Sequence, residues 1–272
     1  DQNVSFGDSF NPPFDVTPDG RYVVFSSIAT NLVPGDGNAK EDVFRKDMTT
    51  GAISLVSVSS NGVQGNNDSR DPSISGDGSR IAFVTLATNL LPADGNAAAS
   101  DIVLRDLGAG TTTLVSASSA GQQANDFTER PSISADGRAV AFEAGPTTTN
   151  LYANDTNAVN DIVVKNLDTG AATPAAVRVG ATTLGGADVP GGNIPGDGRY
   201  VVFQTGAQLD PVNDTNMAGD VYRRDIVGGV TTVVSARNAQ GAADGGETGS
   251  ISADGARAGF TSASANLVTG DT

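Results

Sequence analysis

The sequence predicts an all-β propeller of four-stranded antiparallel blades, with four complete repeats, a partial fifth, and five blades if the ring closes. Three observations predict it: a repeat of near-constant length, an Asp-Gly turn at the same place in each repeat, and the lack of any helical apolar period. The glycine of the Asp-Gly pair falls at 20, 78, 137, 198 and 255, so successive steps are 58, 59, 61 and 57 residues. So little variation describes similar units with loops of different length. Four short strands cannot bury their own faces, so neighbouring units must stack. A linear β-solenoid is the competing arrangement, but its repeats are shorter. Residues 1–272 are read as a single domain, with repeats at approximately 13–71, 72–130, 131–192, 193–249 and a partial 250–272.

Each element follows from its residues. Pro72-Ser73-Ile74-Ser75 is a first strand leading into Asp77-Gly78, whose tolerance of positive φ makes a hairpin turn. Arg80-Ile81-Ala82-Phe83-Val84 is nearly continuous in apolar residues, as suits a strand covered on both faces. Asp101 to Asp106 is the third strand. After a turn at Gly108 to Gly110, Thr112 to Ser118 alternates small polar with apolar residues and reads as a half-exposed fourth strand. Phe25, Phe83, Phe142, Phe203 and Phe260 share one position, that of a ring packed between blades, and burying each is worth about 1.5–3 kcal/mol. Asp47, Asp106, Asn166 and Asp225 end third strands and are expected to hold the next turn, with Arg45, Arg105, Lys165 and Arg224 as nearby ion-pair candidates. Polar connectors such as 65–68 and 241–247 are where a partner surface is most readily built.

The run Pro-Ser-Ile-Ser-x-Asp-Gly-Arg-x-x-Ala-Phe, followed by Asp-Ile/Val-Val/Phe-x-Arg-Asp, resembles the TolB-type β-propeller repeat, a bacterial relative of the WD-type propellers. The likeness spans essentially the whole chain and implies the fold. It implies little about activity, because propellers host enzymes, binders and scaffolds alike. The fifth repeat lacks its third and fourth strands, and residues 1–11 align with a connector rather than with those strands. Three explanations stay open: an excerpt of a longer chain, strands donated by another subunit, or a last blade with an open edge.

Composition excludes several chemistries. There is no His, Cys or Trp, and 31 acidic against 16 basic side chains give a net charge of −15. Without imidazole or thiol there is no Ser-His-Asp triad, thiolate nucleophile, disulfide or His/Cys-bound metal. The acid excess repels phosphate backbones, so no nucleic-acid partner is expected. No run approaches the roughly 18 apolar residues of a membrane helix, so no membrane insertion is expected either. Glu41, Glu129, Glu143 and Glu247 sit in no repeated motif, near-symmetric units argue against an active site, and no catalytic residue is assigned.

What does recur is an acidic loop between the second and third strands. It carries Asp36, Asn38 and Asp42, then Asp94, Asn96 and Asp101, then Asp155, Asn157 and Asp161, then Asp214, Asn216 and Asp220, with Asp271 opening the fifth copy. Ca²⁺ takes roughly six to eight hard oxygens at about 2.3–2.6 Å, and a curled Asp-x-Asn loop can turn several oxygens onto one ion. Turn chemistry alone is the competing reading, because Asp and Asn bond nearby backbone amides. Two carboxylates per loop are more than a turn needs, and they repel one another. The expectation is therefore a non-enzymatic calcium-binding propeller, extracellular or periplasmic, serving as a structural, adhesion or assembly module with protein partners or self-assembly by strand sharing. The alternative is a carbohydrate-binding or glycan-acting propeller with a polysaccharide partner, or the propeller domain of a larger hydrolase.

Overall fold

A computed structural model of the chain describes residues 14–96, 99–153, 158–177, 192–214, 218–235, 246–262 and 267. Among them are seventeen β-strands and no helix. The first sheet runs β1 (Phe14–Val16), β2 (Tyr22–Ser27), β3 (Asp42–Asp47) and β4 (Ile53–Leu55), each antiparallel to the next. The second repeats it with β5 (Ser69–Ile74), β6 (Arg80–Thr85), β7 (Asp101–Asp106) and β8 (Thr111–Leu114). The third uses β9 (Thr128–Ile133), β10 (Ala139–Ala144), β11 (Asp161–Asn166) and β12 (Ala172–Pro174). In the fourth, β13 (Tyr200–Thr205), β14 (Asp220–Asp225) and β15 (Val230–Val233) form the sheet, and among the described residues Asn193 bridges to Val202 on the first-strand side. The antiparallel pair β16 (Glu247–Ile251) and β17 (Ala258–Thr261) opens the fifth.

Two strand readings are corrected. The first strands β5 and β9 start at Ser69 and Thr128, ahead of Pro72 and Pro131, because each contains a bulge. Asp71 and Arg130 take φ of 52° and 54° there, and the proline sits where the ladder needs no donor. The fourth strand ends at Leu114 rather than Ser118. Val115 and Ser116 both donate their N–H to Ile102 O, at 2.8 and 3.2 Å, and residues 115–118 are buried instead of half exposed.

The sheets pack face to face in chain order. Val24 and Val43 of the first sheet lie against Ile74, Ile81, Phe83 and Val103 of the second. Ala82, Val84, Ile102 and Leu104 then meet Ile133, Val140, Phe142 and Val163 of the third, and Ala141, Ile162 and Val164 meet Ile194, Val201, Phe203 and Tyr222 of the fourth. Phe83, Phe142 and Phe203 are fully buried at these junctions, and Phe260 packs on Val202 and Val221 at the next. Each blade therefore offers its neighbours two different faces, one bearing the phenylalanine and one the small aliphatic residues that cover it.

The Asp-Gly turn does more than reverse the chain. A hydroxyl two residues before the aspartate donates to its Oδ1 at 2.6 Å, from Thr17 to Asp19, Ser75 to Asp77, Ser134 to Asp136 and Ser252 to Asp254. That bond is the main reason the carboxyls of Asp19, Asp77 and Asp254 titrate below their usual range. The glycine makes the contact between blades. A Cβ on Gly78 would lie 2.3 Å from Cδ2 of Tyr22 in the preceding blade, and one on Gly255 would lie 2.1 Å from Cδ2 of Tyr200. Gly20 has the same left-handed backbone, φ 69° against 74° at Gly78, but open space around it.

These two positions separate turn strain from packing. Gly20→Ala is expected to cost about 1–2 kcal/mol, the left-handed penalty alone. Gly78→Ala is expected to cost about 2–5 kcal/mol, because the methyl must also displace the Tyr22 ring. Urea unfolding of both variants checks this, and equal losses would mean that the interblade contact is not what requires glycine.

Candidate functional site: acidic loops closed by glutamine amides

The β2–β3 and β6–β7 loops bring their acidic residues together, and a glutamine from the following connector lies between them. Gln64 Nε2 donates to Asp36 Oδ1 at 2.9 Å and to Asp42 Oδ2 at 2.8 Å. Its Oε1 accepts the N–H of Gly37 at 3.3 Å, which sets the orientation of the amide. Ser57 Oγ donates to the other oxygen of Asp42 at 2.6 Å. Asn38 is anchored to the backbone: its Oδ1 accepts from Lys40 N at 2.9 Å and its Nδ2 donates to Gly65 O at 2.9 Å.

The second loop closes more tightly. Gln123 Nε2 donates to Asp94 Oδ1, Asn96 Oδ1 and Asp101 Oδ2 at 3.1, 3.0 and 2.8 Å, while Oε1 accepts Gly95 N–H at 2.8 Å. Ser116 Oγ donates to Asp101 Oδ1 at 3.1 Å. Burial pushes the Asp101 carboxyl up to about 6, with the Asp94 charge adding to the rise and the Ser116, Gln123 and Asn96 hydrogen bonds opposing it. Asp42 is raised for the same leading reason. An amide NH₂ thus occupies the place between oxygens where a cation was expected, and a hard ion would enter only by displacing it.

The remaining loops differ. Asp161 is buried and accepts from Tyr152 OH at 2.6 Å, while Asp155 and Asn157 lie outside the described residues. In the fourth loop Asp214 and Asp220 are both buried. Tyr222 OH donates to Asp214 Oδ2, and Ser235 Oγ donates to Asp220 Oδ1 at 2.6 Å. Burial first, then the Asp214 hydrogen bond and charge, push the Tyr222 phenol well above its usual range. Asp214 Oδ1 is buried with no hydrogen-bond partner among the described residues. Asn216 and Asp271 lie outside them. Among the described residues no group of three or more acidic side chains is arranged to hold a metal.

Gln64, Gln123, Ser57 and Ser116 are absent from the sequence reading, although a signal was present. The connectors share Ser-x-Ser-Ser-x-Gly-x-Gln-x-Asn, at 57–66 and 116–125. Its last residue also ties the connectors down. Asn66 bonds Thr88 and Asn89, as Asn125 bonds Thr149 and Asn150, so these segments stitch neighbouring loops together.

The polar residues at the ends of the third strands divide in an unexpected way. Asp47, Asp106, Asn166 and Asp225 do cap the next turn, each Oδ1 accepting backbone N–H groups at 2.8–3.2 Å. Their cationic neighbours do not pair with them. Arg105 and Lys165 donate to carbonyls of the preceding blade, at Ser59 and at Ala117 and Ser118, Arg224 to Gly229 O and Thr231 Oγ1, and Arg45 to Gly78 O in the next blade. The aspartates pair instead with arginines at or just before the start of the second strands: Arg21 with Asp47, Arg80 with Asp106 and Arg199 with Asp225.

A second charged cluster gathers where first strands of successive blades approach. Glu129 and Glu143 are cross-strand neighbours. Arg70 reaches Glu129 from the adjacent blade at 3.1 Å, while Arg130 holds the buried Glu143 at 2.5 Å with Asn160 on its other oxygen. Asp71 stands among them. Burial pushes its carboxyl up to about 6, Arg70 opposing and the Glu129 and Glu41 charges adding to the rise. Sequence spacing gave no hint of this grouping, because the bulges that create it leave no pattern in residue type.

No protein-family model matches the chain, and no curated protein matches it in sequence. Solved structures do. The structure of a putative TolB from Agrobacterium tumefaciens superposes with a TM-score of 0.51 at 17% identity, covering 91% of this chain and 68% of that one. The fold is a TolB-type β-propeller. TolB from Acinetobacter baumannii is similar at a TM-score of 0.49 and 16% identity, over 86% of this chain and 45% of that one. Prolyl endopeptidase gives 0.48 and 15%, over 88% of this chain and 30% of that one. The chain thus spans about half to two-thirds of the TolB structures and under a third of the peptidase. The matches also include an acylaminoacyl peptidase and an oligogalacturonate lyase. These findings correct the expectation of a non-enzymatic structural, adhesion or assembly module. The same propeller fold recurs among peptidases and a lyase as well as TolB, so it does not by itself mark a structural module. No helix of the described residues is long and apolar enough to cross a membrane.

The amide closure has a measurable consequence. Gln123→Ala removes the donor shared by Asp94, Asn96 and Asp101 and is expected to lower the unfolding free energy by about 2–4 kcal/mol. Gln122→Ala, one exposed residue away, should stay within about 0.5 kcal/mol of the parent protein. Urea titration of the two variants distinguishes a structural clasp from an idle surface amide.

Proposed function

We propose that this chain is the propeller domain of a larger hydrolase, exported from the cytoplasm, where it binds and orients while a companion domain carries the bond-breaking groups. The observation that supports this reading is the state of its carboxylates. Glu143 is buried and held by Arg130 and Asn160, Glu129 is held by Arg70, and the loop aspartates are engaged by Gln64, Gln123, Ser57 and Ser116. A glycosidase-like pair needs one free acid and one free base beside a pocket. With no Cys in the chain there is no thiolate nucleophile, and with no His a serine nucleophile has no imidazole base within it. The expected outcome is no turnover of peptide anilides or acyl esters by residues 1–272 alone, and turnover by the full product of the same reading frame. Activity from the isolated chain would sink the binding-domain reading.

Calcium is a separate proposal, confined to the fourth loop. It is favoured there by the buried Asp214 Oδ1 with no hydrogen-bond partner among the described residues, whereas amides fill the first two loops. Chelation is expected to lower the melting temperature by several degrees, and Asp214→Asn should abolish that response. A melt indifferent to chelator removes the ion from the account.

A further inference from the structure

Four of the five turn glycines are buried beneath the blade before them, and one is not. Gly78, Gly137, Gly198 and Gly255 are buried, and a Cβ on each would lie 2.3, 3.0, 2.5 and 2.1 Å from Tyr22, Arg80, Ala139 and Tyr200 respectively. Gly20 has the same left-handed backbone but is exposed, with nothing within 4 Å of that position. Two other recurring contacts are unmade beside it. Arg45, Arg80 and Arg223 donate to the carbonyls of Gly78, Gly137 and Gly255 at 2.8, 2.9 and 2.7 Å, whereas among the described residues no side chain donates to Gly20 O. The N–H groups of Ile74, Ile133 and Ile194 donate to Asp15, Ser73 and Ser132 of the preceding blade at 3.0, 3.1 and 3.2 Å, but that of Val16 turns back to its own Asp15 at 2.7 Å. The same face is apolar. Phe14 is 50% exposed and pairs with Phe25, which is only half-buried where Phe83, Phe142 and Phe203 are fully so.

The fifth blade carries the matching half. Arg257 stands two residues after Gly255, the place of Arg80, which fills the Gly137 seat without a ring. It is exposed, and among the described residues its guanidinium donates no hydrogen bond. Ser250, also exposed, occupies the position from which Ser73 and Ser132 accept the next blade's N–H. Gly259 takes the position of Val24, Ala82 and Ala141, the residues that cover the next phenylalanine, and is exposed together with Thr261. Within the chain Arg257 does not fill the Gly20 seat.

We propose that the first blade's uncovered face docks the fifth blade of a second copy of this chain. Arg257 of that copy seats on Gly20 and donates to its carbonyl, Ser250 Oγ accepts Val16 N–H, and Gly259 and Thr261 lie over Phe14 and Phe25. The contact continues the interface already repeated at four junctions of the chain, and Asp19 beside the open seat complements the charge of Arg257. Because the two surfaces differ, each copy keeps one unused face after pairing, so association runs on past the dimer unless a ring closes. The inference concerns the blades alone and does not rest on the hydrolase reading.

Sedimentation equilibrium tests this through two surface variants, Phe14→Asp on the receiving face and Arg257→Glu on the donating one. The parent protein is expected to gain weight-average mass with concentration in the micromolar to millimolar range. Each variant alone should stay monomeric, and an equimolar mixture of the two should form a dimer and nothing larger, since it contains one intact face of each kind. Should Phe14→Asp fail to fold, Gly20→Ala replaces it, placing a methyl in the seat. A parent protein that stays monomeric up to about 1 mM overturns the proposal, as does a mixture that gives no dimer. Association that survives both single variants overturns it equally.

Discussion

Everything in this propeller depends on one contact: a side chain from the start of a second strand pressed onto a glycine of the next blade. The Asp-Gly turn supplies both halves of the requirement. Its left-handed glycine reverses the chain, and the missing Cβ lets the Tyr22 or Tyr200 ring approach within a distance no other residue would allow. Around that contact the aliphatic faces close, Val24 and Val43 onto Phe83, and Ala141 and Ile162 onto Phe203. Blade spacing is thus set at the turn and filled by the core.

The blades were legible because their determinants are local and repeated. Asp-Gly, the apolar second strand and the Asp-Ile-Val-x-Arg-Asp third strand each carry their signal within six or seven residues. The hidden parts are those made by distant segments. Gln123 lies twenty-two residues from Asp101, and only the fold shows that its amide ends between two carboxylates. Asp71 and Arg130 look like ordinary residues before proline, yet their bulges bring three acids and two arginines to the inner strands. Where the sequence marked Arg105 and Lys165 as partners for adjacent acids, burial decided otherwise: a cation withdrawn from water is better served by several carbonyls than by one exposed carboxylate.

The amide clasps also show why an acidic loop need not hold an ion. Two carboxylates facing each other demand positive hydrogen between them, and an NH₂ group provides it without a counterion. The cost appears in the Asp101 carboxyl, raised to about 6 by its own burial. The fourth loop keeps the serine of the first two, Ser235 on Asp220, and adds the Tyr222 hydroxyl on Asp214.

The unequal faces of each blade give the array a direction. A unit carries the side chain that meets the next blade, Tyr22, Arg80, Ala139 or Tyr200, on one side and its receiving glycine on the other, so successive units meet head to tail. Duplication of one gene segment would insert a blade whose both sides already match their new neighbours. An array built of such units can lengthen by copying one of them.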